Sequence, residues 1–232
     1  EDKIKQLNNH TIIVGYGRNG KQAALKLKQS KRDFLILENN IARINELEEE
    51  GILYVQGDAT EDEILEKAGI INAHSMILAL PSDADNLFIS ISAKQQNPKL
   101  LVISRATNES SFRKLKIVGV DNVIMPDKIG GDHMASLVVS PDLIEFVDRL
   151  SLDGDCDTNL RELKIEDELS HFENKSIMDL DIRNKTGCSV IGLKLPAGDY
   201  IINPEANCKL ISGSHLIVLG RPEQIIKLRE LF

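Results

Sequence analysis

Three glycines carry the clearest chemistry in this chain. They stand as Gly15-Tyr16-Gly17-Arg18-Asn19-Gly20, directly after the apolar run Thr11–Val14 and directly before a helical pattern. In a strand–turn–helix setting the first glycine permits a tight turn, the second lets a pyrophosphate approach the backbone, and the third lets helix pack against strand. The free N–H groups and positive dipole end of a helix beginning near Asn19 then face anionic phosphate. Arg18 adds a side-chain charge to that site. Glu38 lies 18 residues past Gly20, at the end of the run Phe34–Leu37, with Asn39 beside it. A carboxylate there accepts both hydroxyls of an adenosine ribose. A 2′-phosphate would meet like charge, so the expected ligand is NAD or NADH, or else ADP, ATP or AMP, rather than NADP. The plainer alternative for Glu38 is that it caps the neighbouring helix.

Three further segments fall on the same edge. Gly57-Asp58-Ala59-Thr60 ends the third apolar run. Asp58 is expected to accept from an adenine amino group, with Ala59 and Thr60 lining the base pocket; a turn and helix cap explains Thr60 equally well. Leu80 and Pro81 end the fourth run and border the nucleotide. Arg105 ends the fifth and either reaches phosphate or pairs with an acid.

The elements that must position these residues are short apolar runs alternating with longer amphipathic ones. Thr11–Val14, Phe34–Leu37, Leu53–Val55, Met76–Leu80, Leu100–Ile103 and Asn122–Met125 are too short for helices and nearly unbroken in hydrophobicity, as strands covered on both faces should be. Strict alternation with helices predicts an α/β, doubly wound parallel sheet of the Rossmann type. Helix ends are marked by a Thr60-x-x-Glu63 capping box, by Ser82, and by Gly51, Gly69 and Gly119. Residues 127–150 read as two helices broken at Ser140-Pro141. Residues 151–159 are an acidic linker, and residues 160–232 form a smaller α+β lobe.

Composition narrows the function. With 232 residues, 28 Lys+Arg against 36 Asp+Glu and a formal charge of −8, the chain offers no basic stripe to a phosphate backbone, so no nucleic-acid partner is expected. Cys156, Cys188 and Cys208 have no disulfide or zinc spacing, which fits a reducing compartment. No apolar run approaches the roughly 18 residues of a membrane span. His10, His74, His133, His171 and His215 are scattered singly, and no nucleophile stands beside a base in a familiar signature. Asp153-x-Asp155-x-Asp157 resembles the start of a calcium loop, but Thr158 replaces the required glycine and Lys164 the bidentate glutamate. No metal site and no enzyme are expected. An NAD-dependent oxidoreductase with its substrate site in the C-terminal lobe is the alternative.

Taken together, the glycine motif, Glu38, Gly57–Thr60, the paired helices, and a tail reading Gly187–Leu195, Gly198–Pro204 and His215–Gly220 resemble the RCK regulatory domains of prokaryotic potassium channels and transporters. Those domains combine a KTN or TrkA-N lobe with a TrkA-C lobe. The resemblance implies a cytoplasmic gating domain that binds NAD(H) or an adenine nucleotide and couples binding to potassium flux. It implies a homodimer formed through the crossover helices and the C-terminal lobe, assembling into an octameric ring at the cytoplasmic face of the membrane. The potassium pore would lie in the same polypeptide or in a separate membrane subunit. Residues 1–10 resemble the junction behind a pore helix, which makes an excised fragment the expectation; residues 11–126 then correspond to the Rossmann lobe. The tail departs from the usual pattern at Gly213-Ser214, where Gly-Asp is common. The calcium-binding carboxylates of some relatives have no counterpart in Ser104–Glu109.

Overall fold

The computed structural model describes residues 4, 6–150, 159–165 and 174–231. The acidic linker residues 151–158 and His171 lie outside them. The chain divides into two units, Glu1–His133 and Met134–Phe232.

The first unit is organised by β1 (Thr11–Val14), which is buried along its whole length. It pairs in parallel with β2 (Phe34–Glu38) on one side and β4 (Ser75–Leu78) on the other, with Thr11 opposite both Phe34 and Ser75. Adding β3 (Tyr54–Gln56), β5 (Leu101–Arg105) and β6 (Asn122–Ile124) gives the order β3-β2-β1-β4-β5-β6. All pairings are parallel. This is the order in which a doubly wound sheet reverses between β1 and β4, leaving a crevice at the carboxyl ends of those strands. Side chains alternate across the sheet, so Ile12, Val14, Leu35 and Leu37 join one apolar cluster while Ile13 and Ile36 join another on the opposite face. Both faces are covered by helices, which explains why the strand sequences show no polar alternation.

The helices of this unit are α1 (Arg18–Gln29), α2 (Ile41–Glu49), α3 (Asp62–Lys67), α4 (Asp83–Gln96) and α5 (Glu109–Ile117). Ser82 caps α4 by accepting from the Asp85 N–H, as its position predicts. The Thr60-Glu63 capping box does not form. Asp58 instead takes both the Thr60 N–H and hydroxyl, at 2.9 and 2.8 Å, and α3 begins one residue later, behind Glu61. A local Asx turn has outcompeted the cap for the same hydroxyl.

Two helices follow β6, α6 (Pro126–Val139) and α7 (Pro141–Arg149), separated at Ser140-Pro141. In α6 no residue is buried, and Ile129, Met134, Val138 and Val139 are exposed, as are Leu143 and Phe146 of α7. Among the described residues no helix is long and apolar enough to cross a membrane.

The second unit contains a four-stranded antiparallel sheet, β7 (Asn159–Lys164), β8 (Ser189–Lys194), β9 (Tyr200–Ile202) and β10 (His215–Gly220), in the order β7-β10-β8-β9. Its helices are α8 (Ile177–Leu180), α9 (Ile182–Thr186) and α10 (Pro222–Leu231). Leu163, Leu193, Leu216, Val218 and Leu228 share its core. Here burial alternates along β10, as expected of a sheet with one covered face. Asn159, expected in the linker, is the first residue of β7 because its register partner Gly220 continues the ladder with β10.

Candidate functional site

The carboxyl edge of the parallel sheet holds two adjoining cavities that share Arg43, Leu80 and Pro81. The first, about 310 Å³, is lined by Gly15, Gly17, Arg18, Asn19, Arg43, Ala79, Leu80, Pro81, Arg105 and Asp127. The second, about 250 Å³, adds Glu38, Asn39, Asn40, Gly57, Asp58, Ala59 and Asp85. Together they form one groove across the switch between β1 and β4.

Each glycine of the motif has a different physical reason. Gly15 sits at φ +90°, a conformation that other residues adopt only with strain. A Cβ on Gly20 would stand 1.9 Å from the Gly15 carbonyl oxygen, so α1 rests on the turn only because that position has no side chain. Gly17 is required by neither constraint. It is the N-cap of α1 at φ −83°, and a Cβ there would meet nothing nearer than the Arg43 guanidinium at 3.7 Å. The fold thus leaves the backbone at Gly17 bare, at the edge of the first cavity, without a steric need for it. Among the described residues no side chain caps α1, and its first turn has no acid, so the helix start is suited to an anion.

Charge in the first cavity is inverted relative to the chain as a whole. Arg18, Arg43 and Arg105 line it against a single acid, Asp127. Arg18 is exposed. Arg105 is half-buried, and its Nε is buried with no hydrogen-bond partner among the described residues. Its charge also reaches Asp83, whose carboxyl is pushed up by burial but pulled further down by hydrogen bonds from Ser111 and Thr107 and by Arg105. Arg105 thus faces the first cavity and balances an acid at once.

Glu38 is built differently from the open ribose acceptor that its position suggests. It is 4% exposed. One carboxylate oxygen accepts the N–H groups of Asn39 (3.0 Å) and Asn40 (2.9 Å). The other accepts the Tyr16 N–H (2.7 Å) and Arg43 Nη1 (3.3 Å). Burial alone would raise its carboxyl, but the N–H groups of Tyr16 and Asn40, the Arg43 guanidinium and the Asn39 N–H hold it below the usual carboxylate range. Glu38 thus ties the glycine turn to the start of α2 while its edge still borders the groove.

Of the residues expected at the site, Gly15, Gly17, Arg18, Asn19, Glu38, Asn39, Asp58, Ala59, Leu80, Pro81 and Arg105 line the groove. Tyr16, Gly20 and Thr60 do not. The Tyr16 ring packs in the core, and its hydroxyl donates to Glu50 at 3.0 Å, with burial first and Glu50 second pushing its pKa up to about 12. Gly20 lies beneath the turn, and the Thr60 hydroxyl is engaged by Asp58. Sequence reasoning missed Arg43, Asn40, Asp85 and Asp127. Arg43 had a readable signal, a cation in the first turn of a helix, where the dipole disfavours it. Among the described residues no group of three or more His, Cys, Asp or Glu side chains is arranged to hold a metal.

With this geometry in place, comparison with known proteins is specific. The TrkA-N domain model matches residues 11–126 and the TrkA-C domain model matches residues 160–232. A probable potassium channel protein 2 of Methanocaldococcus jannaschii is 35% identical across the whole chain, which spans 69% of that protein. The crystal structure of the TrkA-N domain of the Escherichia coli inner membrane protein YbaL is 30% identical, with a TM-score of 0.55 over 57% of this chain and 98% of that one. The GsuK channel bound to NAD shares the fold at 22% identity and a TM-score of 0.51, covering 97% of this chain and 38% of that one. These relatives do not favour the oxidoreductase alternative. The chain belongs to the TrkA-N and TrkA-C family and is an RCK-type regulatory domain of the kind found in potassium channels and transporters.

Proposed function

We propose that this domain binds NAD(H) or another adenine nucleotide in the groove at the carboxyl edge of its parallel sheet and converts that binding into a change of potassium flux through a pore. The observation that carries the reading is Gly17: the fold leaves its backbone bare without needing to, at the uncapped head of α1, inside a cavity lined by three arginines and one acid. Gly15, Gly17, Asn19 and the α1 N-terminus cradle the diphosphate, Arg18 and Arg105 neutralise it, and Glu38 and Asn39 face the ribose. Asp58 and Ala59 meet the base, and Leu80 and Pro81 close the β4 side. An NAD-bound neighbour with the same fold supports the ligand class.

The role is regulatory rather than enzymatic, with ligand binding as the input. Residues 11–126 act as the nucleotide lobe, residues 127–150 as crossover helices and residues 160–232 as the C-terminal lobe. Residues 151–158 act as the connecting linker, with Asn159 already in β7. The exposed apolar side chains of Ile129, Met134, Val138, Leu143 and Phe146 support a homodimer through the crossover helices, which builds an octameric gating ring at the cytoplasmic face of the membrane. Coupling of about 1–3 kcal/mol per site shifts an equilibrium roughly 5- to 150-fold, so several such sites acting on one pore suffice to switch it.

Reconstitution of the pore with this domain in liposomes, followed by rubidium flux on addition of NAD, NADH, ADP or ATP to the side bearing the domain, tests the reading. A nucleotide-dependent change in flux is expected. Flux insensitive to all four would overturn it, and substrate-dependent NADH oxidation against simple carbonyl compounds would return the enzyme reading.

A further inference from the structure

The geometry points to Arg43 as an exchangeable occupant of the ribose acceptor: on nucleotide binding the ribose hydroxyls take its place on Glu38, and its guanidinium crosses to the diphosphate above Gly17. This inference rests on the nucleotide reading above and adds to it a residue that sets the ligand's ribose and phosphate recognition.

The argument begins with the acceptor capacity of one carboxylate. Two oxygens offer about four lone-pair positions. In Glu38 they are taken by the N–H groups of Asn39, Asn40 and Tyr16 and by Arg43. A ribose hydroxyl therefore finds no vacant lone pair and must displace one donor. The three backbone donors are fixed by the glycine turn and by the turn into α2, so none can leave without unmaking those turns.

Arg43 is the remaining donor, and it is suited to move. Its bond is the longest of the four, at 3.3 Å, and its side chain is 41% exposed while that of Glu38 is 3% exposed. Its three outer guanidinium atoms lie 3.7–3.9 Å from the position a Cβ would take on Gly17. The same group thus spans the ribose acceptor and the bare backbone where a diphosphate is expected, and it borders both cavities. Leaving Glu38 for a phosphate exchanges one charge-assisted hydrogen bond for another, with a planar fork suited to phosphate oxygens. The hydroxyls then inherit a carboxylate kept ionised by its remaining N–H donors.

The test compares ADP with 2′-deoxy-ADP by calorimetry on the wild-type protein and on Arg43→Met, with thermal melting to confirm folding and Arg43→Gln as a second replacement. The exchange predicts two opposed effects in the variants. ADP binds about tenfold more weakly, because a phosphate partner is gone. Preference for ADP over 2′-deoxy-ADP rises at least about threefold, because the hydroxyl no longer competes with a guanidinium for Glu38. A purely structural ion pair does not move the second quantity. If wild type binds ADP and the variants leave the preference unchanged or reduce it, the exchange is wrong and the nucleotide site stands. If wild type binds neither compound at millimolar concentration, both fail together.

Discussion

The part of the groove around Gly17, proposed for phosphate, and the part around Glu38, proposed for ribose, are built on opposite principles. Around Gly17 the protein presents groups that, among the described residues, its fold does not consume: a backbone free of side chain, an uncapped helix start, and the Arg105 Nε without a hydrogen-bond partner. Around Glu38 every acceptor position is already used, chiefly by backbone N–H groups that hold the glycine turn against α2. Folding and binding are therefore separable in the first half and entangled in the second. Preorganised binding sites commonly need both, an open receptor for the charged group and a stiff support that fixes where the receptor points.

Four perturbations break or sharpen that contrast. The largest effect belongs to Gly20, whose absent side chain lets α1 rest on the glycine turn. Gly20→Ala places a carbon 1.9 Å from the Gly15 carbonyl oxygen and is expected to destabilise the protein by about 3 kcal/mol or to prevent folding, read by denaturant melting. Next comes Glu38→Gln, which keeps the shape but turns an amide toward donors that need an acceptor. A loss of about 2 kcal/mol in the same measurement is expected, with nucleotide affinity falling alongside.

Acid probes the same asymmetry without mutation. The Glu38 carboxyl titrates below the ordinary value of about 4.3, so the stability it contributes is complete above that pH and is lost as pH falls through its depressed folded-state value. Guanidinium groups do not titrate there. Melting temperature should therefore fall as pH drops below the ordinary carboxylate value of about 4.3, and fall less in Glu38→Gln; an equal decline in both proteins would remove Glu38 from the account. The smallest effect is expected for Arg105→Gln, which leaves melting nearly unchanged and weakens ADP binding several-fold with a shallower salt dependence, measured by titration at two ionic strengths.

Much of this arrangement was legible in the amino-acid string because its causes are local. Strands covered on both faces leave unbroken apolar runs, and the glycine spacing lies directly between the first of them and a helix, so the parallel sheet and the groove at its carboxyl edge could be placed residue by residue. What was not legible depends on backbone donors and on distance through space. Nothing in the letters around Glu38 records that the N–H groups of Tyr16, Asn39 and Asn40 converge on its carboxylate. The letters show Arg43 only as a cation misplaced in the first turn of α2, and not that α2 carries it over Gly17. Thr60 fits a capping-box pattern, and only the competing carboxylate of Asp58 decides against it.

The central claim, that the bare backbone at Gly17 exists to admit a nucleotide diphosphate, is tested most directly by titrating ADP and NAD into wild type and Gly17→Ala at fixed salt, with melting curves for both. The account predicts binding to wild type below millimolar concentration, at least a tenfold loss in Gly17→Ala, and stabilities within about 1 kcal/mol of each other, since an N-cap glycine makes no side-chain bond to lose. Equal affinity in the two proteins, or no heat from either nucleotide with the wild type at millimolar concentration, would contradict it.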